Sequence, residues 1–157
     1  IVANKGVLKL PYIVDEVEQA GKSLGLWERK PNQVLGKKAS SDLRELMKLT
    51  VKKGTARGSF RRMRRSIKKK LEIGGKTGSI TGGFPYGKRD WFTSFAVPKD
   101  KVYGKGISIC VMNVNVEKWY VKSTFLAKSI IEYYYKHIIP LNTKLSKSQK
   151  TLEKDKV

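Results

Sequence analysis

The most chemically suggestive segment of this chain is Gly74–Ser79, which reads Gly-Gly-Lys-Thr-Gly-Ser. It combines a side-chain amine, two hydroxyl groups and three glycines, and the hydrophobic run Trp91–Val97 follows shortly after it. Each residue type also has an ordinary role on a strand, because a lysine there is usually solvated, a threonine fits the pleat and paired glycines mark a bulge or turn. Short motifs often match by chance, so the surrounding elements must decide whether this segment forms a site.

Other residues with reactive side chains give weaker signals. Cys110 is the only cysteine, which excludes an internal disulfide and a cysteine-based zinc site, and its apolar neighbours predict a buried small hydrophobe. His137 lacks neighbours at a metal-ligand spacing and is interpreted as structural. Ser66 opens a Ser-x-x-Lys sequence inside a lysine-rich stretch, where we interpret it as a chance match. No metal and no organic cofactor are predicted.

The net charge of +21 is partly concentrated in one segment. Between Glu45 and Glu72 there is no acidic residue, and ten basic residues crowd together over positions 52–70: Lys52, Lys53, Arg57, Arg61, Arg62, Arg64, Arg65, Lys68, Lys69 and Lys70. Such a field favours polyanionic partners, whether nucleic acid, anionic lipid or a cell-envelope polymer.

Apolar residues recur through this basic segment at spacings of three and four: Phe60, Met63, Ile67 and Leu71. In a helix they would form a stripe that packs on the core, with the basic residues beside it in solvent. We favour that interpretation over a nucleic-acid groove, because the segment lacks the interleaved aromatic residues of single-strand binders.

Length and composition predict one globular domain, since the 157 residues are 39% hydrophobic and 30% charged. No apolar stretch is long enough to span a bilayer, and no signal segment opens the chain. Because the sequence begins with Ile rather than Met, we expect it to be a piece excised from something longer.

The first third predicts an irregular arm followed by a helix. Tyr12–Glu18 and Leu24–Trp27 suggest a hairpin or extended arm, and Glu28–Ala39 reads as loop. Asp42 is the predicted helix cap, with Glu45 as its capping-box partner. The buried stripe of this helix is expected at Leu43, Leu46, Met47 and Val51, with Gly54 as the stop signal.

Three strands are predicted next, at Leu71–Ile80, Trp91–Val97 and Gly106–Asn115, with short turns between them. Tight connections favour an antiparallel sheet covered by helices, which is an α+β fold. Trp91, Phe92 and Phe95 are assigned to the core, and Asp90 to a surface ion pair with Arg89.

A second helix is predicted to begin at Ser123, its cap, and to end at Pro140. Its buried stripe is expected at Leu126, Ile130, Ile131 and Tyr134. The three successive tyrosines 133–135 suggest an aromatic stripe with one side buried. We therefore expect a folded part over residues 1–139 and a basic, disordered tail over 140–157.

With these elements in order, the chain resembles the C-terminal part of a penicillin-binding protein transpeptidase domain, in the serine β-lactamase superfamily. The resemblance is collinear from Ile1 to about Ile139, and the segments that carry it are Ile1–Val7, Leu43–Ala56, Gly75–Ser79, Asp90–Phe92 and Ser123–His137. The Lys-Thr-Gly sequence is one of the three signatures of that superfamily. The resemblance implies a partial serine β-lactamase-like fold, an antiparallel sheet packed against helices.

The resemblance also implies roles for the motif in a DD-transpeptidase. Lys76 would be a fixed positive charge near the nucleophile, and the hydroxyls of Thr77 and Ser79 would bind the terminal carboxylate of the substrate. The Ser79 backbone N–H would form half of the oxyanion hole, and Gly78 would let the substrate backbone approach. The other two signatures are absent: no Ser-x-Asn occurs, and the only Ser-x-x-Lys is the one at Ser66. The nucleophile is therefore expected outside this chain, which alone should be inactive.

The partners implied by the resemblance are a peptidoglycan stem peptide ending in D-Ala-D-Ala, β-lactam antibiotics and the N-terminal remainder of the same domain. An anionic envelope surface also fits the charge, whereas nucleic acid is not expected. The implied location is the outer face of the cytoplasmic membrane. Two alternatives stay open: a basic binding module for nucleic acid or anionic membrane, and a catalytically inactive scaffold of the same family.

Overall fold

The computed structural model describes residues 1–11, 14, 17–23 and 30–140, and it divides the chain into two units, Ile1–Arg44 and Glu45–Val157. The arm segment expected at Leu24–Trp27, most of Tyr12–Glu18 and the tail from residue 141 onwards lie outside the described residues. Within the described residues, no helix is long and apolar enough to cross a bilayer.

The first unit contains short antiparallel pairs. A 3-10 turn at Val2–Asn4 leads into β1 (Val7–Leu8), and β2 (Glu18–Gln19) pairs with β3 (Lys22–Ser23). β4 (Asn32–Gln33) pairs with β1, inside the stretch expected to be loop. Positive φ angles at Ala20 and Gly21 turn β2 into β3, as two-residue hairpins require.

Helix α1 (Lys37–Lys52) begins before the predicted cap, within the stretch expected to be loop. The Ser40 N–H donates to Gly36 O at 2.9 Å, so the first turn forms ahead of Asp42, which instead pairs with Lys38 at 3.5 Å. Glu45 likewise pairs with Lys48 rather than completing a capping box. The predictions for Asp42 and Glu45 are therefore wrong.

The buried side of α1 was predicted only in part. Val51 is buried and Met47 half-buried, but Leu43 and Leu46 are 41% and 61% exposed. Within the second unit, the α1 residues that face β5 (Leu71–Gly82) are Met47, which lies against Gly74, and Lys48, which pairs with Glu72 at 3.7 Å. The helix ends as predicted: the Gly54 N–H donates to Leu49 O at 2.9 Å.

The basic segment forms two short helices, α2 (Arg57–Arg61) and α3 (Arg65–Lys68), rather than one. They are separated because Arg64 is extended (φ −52°, ψ 123°). The predicted apolar stripe is confirmed, since all its members are buried while most basic side chains around them are exposed: Phe60, Met63, Ile67 and Leu71.

The sheet of the second unit has the order β5-β6-β7 and is antiparallel throughout, which confirms the α+β fold class. β6 (Gly87–Pro98) starts earlier than predicted and β7 (Ile107–Asn115) nearly where predicted. A 3-10 turn at Lys101–Tyr103, capped by the Asp100 carboxylate, joins β6 to β7.

Helix α4 (Ser123–Tyr133) continues as a π-helical turn (Tyr134–Ile138) and stays helical through Pro140, the last described residue. Of the predicted stripe, Ile131 is buried, Leu126 and Tyr134 are half-buried and Ile130 is 45% exposed. The helical segment also buries Thr124, Ala127 and Tyr135. The prediction for the tyrosines is confirmed, because Tyr135 is buried and Tyr133 exposed.

The core lies between α2, α4 and one face of the sheet, where Phe60 meets Phe92 with ring centroids 5.8 Å apart. Phe92 and Phe95 are buried as predicted, but Trp91 is 40% exposed and Cys110 is exposed, so both of those core assignments are wrong. Strand alternation places Trp91 and Cys110 on the face opposite Phe92. Phe95 shares that face and is buried near Met47 of α1 at Gly74, whereas Trp91 lies four residues away along the strand and is exposed.

Asp90 is 3% exposed and does not form the predicted surface ion pair. Its carboxylate accepts the Ser123 N–H at 2.7 Å and so caps α4 from a neighbouring strand. Ser123 is the first residue of the helix rather than its cap. A carboxylate at a helix N-terminus is also favoured by the helix dipole, which explains why a charge is tolerated at a buried position.

Candidate active site

The candidate site lies along one edge of β5. Among the described residues β5 pairs only with β6, so its other edge is open. The Lys99 N–H donates to Lys70 O at 2.9 Å, which makes these two residues a hydrogen-bonded pair in the β5–β6 register. Because bonded and non-bonded pairs alternate in an antiparallel ladder, the backbone groups of Thr77 and Ser79 point to the open edge.

Lys76 lies at this edge with its side chain exposed. Its Nζ donates to the backbone oxygen of Thr77 at 2.6 Å. An ammonium group and the outward N–H of Ser79 therefore occupy the same short stretch of open strand. Both are donors that suit a negatively charged oxygen.

Thr77 is held from outside the strand. Its Oγ1 lies 2.8 Å from the Oγ1 of Thr55, in the turn between α1 and α2. A hydroxyl can donate one hydrogen bond and accept two, so this pair retains hydrogen-bonding capacity for a ligand. Residue-by-residue reasoning missed Thr55, although the Gly54-Thr55-Ala56 segment that carries the family resemblance was the signal that pointed to it.

The three glycines of the motif differ in what surrounds them. A Cβ on Gly74 would come within 2.5 Å of the Phe95 ring, and one on Gly75 within 2.4 Å of the Phe92 ring. A Cβ on Gly78 would meet only Trp91 Cβ, at an ordinary 3.7 Å. Internal packing thus accounts for glycine at positions 74 and 75 and leaves position 78 open.

Ser79 is exposed and lies opposite Asp90 in the register. Because Asp90 is engaged with α4, its carboxylate is directed away from the open edge of β5. Ser66 lies in α3 and is exposed, and no described hydrogen bond joins it to Lys76 or Ser79. In the described part of the chain, no three His, Cys, Asp or Glu side chains cluster closely enough to hold a metal ion.

The shifted pKa values belong to groups that hold the frame of the site. Burial, reinforced by Tyr134 and Tyr103, raises the pKa of the Tyr135 hydroxyl far above its usual value, and this hydroxyl faces the carbonyl oxygens of Ala96 and Lys105 at 3.1 and 3.0 Å. It stays protonated and ties the π-helical turn to β6. The open edge of β5 as a whole presents hydrogen-bond donors that suit an extended, anionic ligand.

Comparison with known protein families identifies this fold region. The sequence model of the penicillin binding protein transpeptidase domain matches residues 1–123, well over half of the 157-residue chain. No curated protein and no solved structure matches. The matched range contains α1, the Thr55 turn and the whole β5–β6–β7 sheet.

Proposed function

Because this chain belongs to the penicillin-binding protein transpeptidase family, we propose that it forms part of a serine DD-transpeptidase that cross-links peptidoglycan stem peptides. In that reaction a serine Oγ attacks the carbonyl carbon of the penultimate D-alanine, and the terminal D-alanine leaves as the free amino acid. The resulting ester is then attacked by the amine of a second stem peptide, which restores the serine hydroxyl. β-Lactams acylate the same serine.

The open edge of β5 supports this proposal. The Ser79 N–H points outward, where it would donate to the oxyanion that forms on the attacked carbonyl. The hydroxyls of Thr77 and Ser79 would bind the terminal carboxylate, and the Lys76 ammonium would complement its charge. Gly78, whose space no neighbour fills, would allow the substrate backbone to lie against the strand.

The serine nucleophile would come from a segment of the protein outside these 157 residues. No Ser-x-Asn occurs in the sequence, and its one Ser-x-x-Lys begins at Ser66, in the basic segment and only ten residues before Lys76. We infer that residues 1–139 are the C-terminal part of the transpeptidase domain and that 140–157 form a basic tail. The N-terminal remainder of the domain would then complete the site.

The family typically acts outside the cytoplasm, and we propose the outer face of the cytoplasmic membrane for this protein. The high positive charge suits a surface that meets anionic lipids and wall polymers. The substrate would be a stem peptide ending in D-Ala-D-Ala. No cofactor enters the reaction as proposed.

The single observation that carries the proposal is the combination of an open Lys76–Ser79 edge with the family match, and labelling with a fluorescent penicillin tests it. We expect the full-length protein to be labelled covalently, and we expect Lys76→Ala to reduce the labelling rate at least tenfold, equivalent to about 1.4 kcal/mol of barrier. The isolated 157-residue chain should stay unlabelled.

Two outcomes would contradict the proposal. An unlabelled full-length protein that is folded by circular dichroism would indicate an inactive relative. Labelling of the isolated chain that disappears in Ser66→Ala would show that Ser66 is the nucleophile.

A further inference from the structure

A groove of about 430 Å³ opens between α2 and the segment that joins β7 to α4. Its volume falls in the range of small-molecule and short-peptide sites. Its lining includes Thr55, three cationic groups and three aromatic rings: Arg61, Arg62, Lys122, Trp119, Tyr120 and Phe125. We call this the basic groove.

The charge of the basic groove is of one sign. Its lining includes no Asp or Glu, and neither the Arg61 nor the Arg62 guanidinium forms an ion pair with any described residue. Lys88 lies 3.9 Å from the centre of the Trp119 ring, which adds a further cation beside it. Guanidinium groups bind carboxylates through paired hydrogen bonds, so this lining favours an anion with a planar, forked end.

The walls of the groove are fixed to the core. The Ser59 and Thr124 hydroxyls are 2.8 Å apart and join α2 to α4, and the Asn113 amide donates to Val121 O at 2.6 Å. On this frame the aromatic side chains are nonetheless open to solvent, with Trp119 42% and Tyr120 76% exposed. Exposed aromatics beside unpaired cations on a rigid frame are typical of a binding surface rather than of core packing.

Thr55 connects the basic groove to the candidate active site. It lines the groove and also contacts the Thr77 hydroxyl of β5 at 2.8 Å. A peptide whose end lies along β5 would therefore have a cationic, partly aromatic cleft within reach of its next residues. Sequence reasoning missed this cleft because its aromatic residues are remote in sequence from the basic segment.

We propose that the basic groove binds a carboxylate-bearing segment of the peptide substrate, outside the D-Ala-D-Ala end. This inference rests on the proposed transpeptidase function, since it takes the occupant of the β5 edge to be a peptide. Arg61 and Arg62 hold the carboxylate, and Trp119 and Tyr120 cover the neighbouring aliphatic part. The groove thus selects for substrates that keep a free carboxylate at this position.

The test uses the full-length protein and two synthetic pentapeptides ending in D-Ala-D-Ala, one with a glutamate in its third position and one with glutamine there. Binding is measured by calorimetry at fixed ionic strength. We expect the glutamate peptide to bind about tenfold more tightly, and the Arg61→Gln/Arg62→Gln variant to reduce this preference to about twofold or less. Arg57→Gln removes a charge from the same helix without lining the groove, and it should retain the preference.

Each other outcome would overturn the inference. Equal binding of the two peptides, or equal loss of preference in Arg57→Gln, would mean that the groove does not read the carboxylate. Displacement of the glutamate peptide by a stoichiometric single-stranded oligonucleotide would assign the groove to nucleic acid. Penicillin labelling is measured on the same samples. If the protein is labelled but shows no preference between the peptides, only this inference is contradicted. If the protein is not labelled, the proposed function is contradicted.

Discussion

Neighbouring glycines of strand β5 are kept glycine by different forces. The Phe95 ring occupies the space that a side chain on Gly74 would need, and the Phe92 ring occupies the space beside Gly75. A side chain at either position would therefore displace a buried aromatic ring. Gly78 has neither a crowded neighbour nor a positive φ angle. Glycine in the middle of a strand lowers the free energy of unfolding by about 0.5–1 kcal/mol relative to alanine. No contact among the described residues explains why position 78 is glycine.

Substituting alanine for these glycines separates stability from activity. Gly78→Ala should leave the free energy of unfolding unchanged or raise it by up to about 1 kcal/mol, while slowing penicillin labelling of the full-length protein at least tenfold. Gly75→Ala, the matched control, should lower the free energy of unfolding by about 1–3 kcal/mol through overpacking. Urea unfolding and labelling rates measure both. Unchanged labelling in Gly78→Ala would remove this residue from the site.

Among individual residues, the sequence singled out Lys76 and Ser79 through the Lys-Thr-Gly motif and the family resemblance, and their roles stay predictions. Their place on an open strand edge is a property of the fold. Asp90 could not be assigned, because its partner Ser123 is distant in sequence and only the fold brings the two together. Trp91 was misassigned because a run of apolar residues does not reveal how far along each face of the sheet the covering helices extend: Phe95 is buried on the same face as Trp91.

Among the elements, the α2–α3 segment is held at its break by a carboxylate of α4. At the break between these short helices, the Arg64 N–H donates to Glu132 Oε1 at 2.5 Å, and the other carboxylate oxygen pairs with Lys128 at 2.9 Å. Partial burial raises the pKa of Glu132, but these hydrogen bonds and the nearby positive charges outweigh it and lower the pKa below its usual 4.5. The carboxylate thus fixes the basic segment to α4.

The lowered pKa of Glu132 predicts a defined pH dependence. Its stabilising effect is complete above the unfolded pKa near 4.5 and is lost as the pH falls through the lower folded value. Glu132→Gln should therefore lower the free energy of unfolding by about 1–2 kcal/mol at pH 7 and by much less near pH 3. Glu117→Gln, on an exposed residue, is the control and should have little effect at either pH. A difference between wild type and Glu132→Gln that persists at pH 3 would contradict the assignment.

The type of each helix and strand could be predicted from the sequence. The residues at which they begin and end could not, because tertiary contacts determine them. The strands emerged from apolar runs and turn residues, and the buried stripe Phe60–Leu71 emerged from its spacing. The start of α1 was missed, because Asp42 looks like a cap in sequence while the helix begins near Gly36. The break between α2 and α3 at Arg64 was not predicted, because the residue that accepts its N–H, Glu132, is remote in sequence.

At the scale of the whole molecule, the charge of +21 acts on every anion nearby. Fields of this kind raise association rates and weak affinity without conferring selectivity, and they are screened over about 10 Å at 0.1 M salt. The basic groove differs from this general field, because it combines unpaired guanidinium groups with aromatic surface at one place. Charge alone would therefore give weak binding to polyanions, and a preference among them would require a local feature such as the groove.

Binding to duplex DNA distinguishes the general field from a dedicated nucleic-acid site. We expect the full-length protein to bind a random 20-base-pair duplex at 20 mM salt and to lose at least about a hundredfold in affinity at 150 mM, because counterion release dominates such binding. Fluorescence anisotropy over a salt series gives the slope. Arg61→Gln/Arg62→Gln and Lys52→Gln/Lys53→Gln remove the same charge, so a general field predicts equal effects from both variants. Submicromolar affinity at 150 mM salt, lost only in the arginine variant, would instead favour nucleic-acid binding as the function of the basic segment.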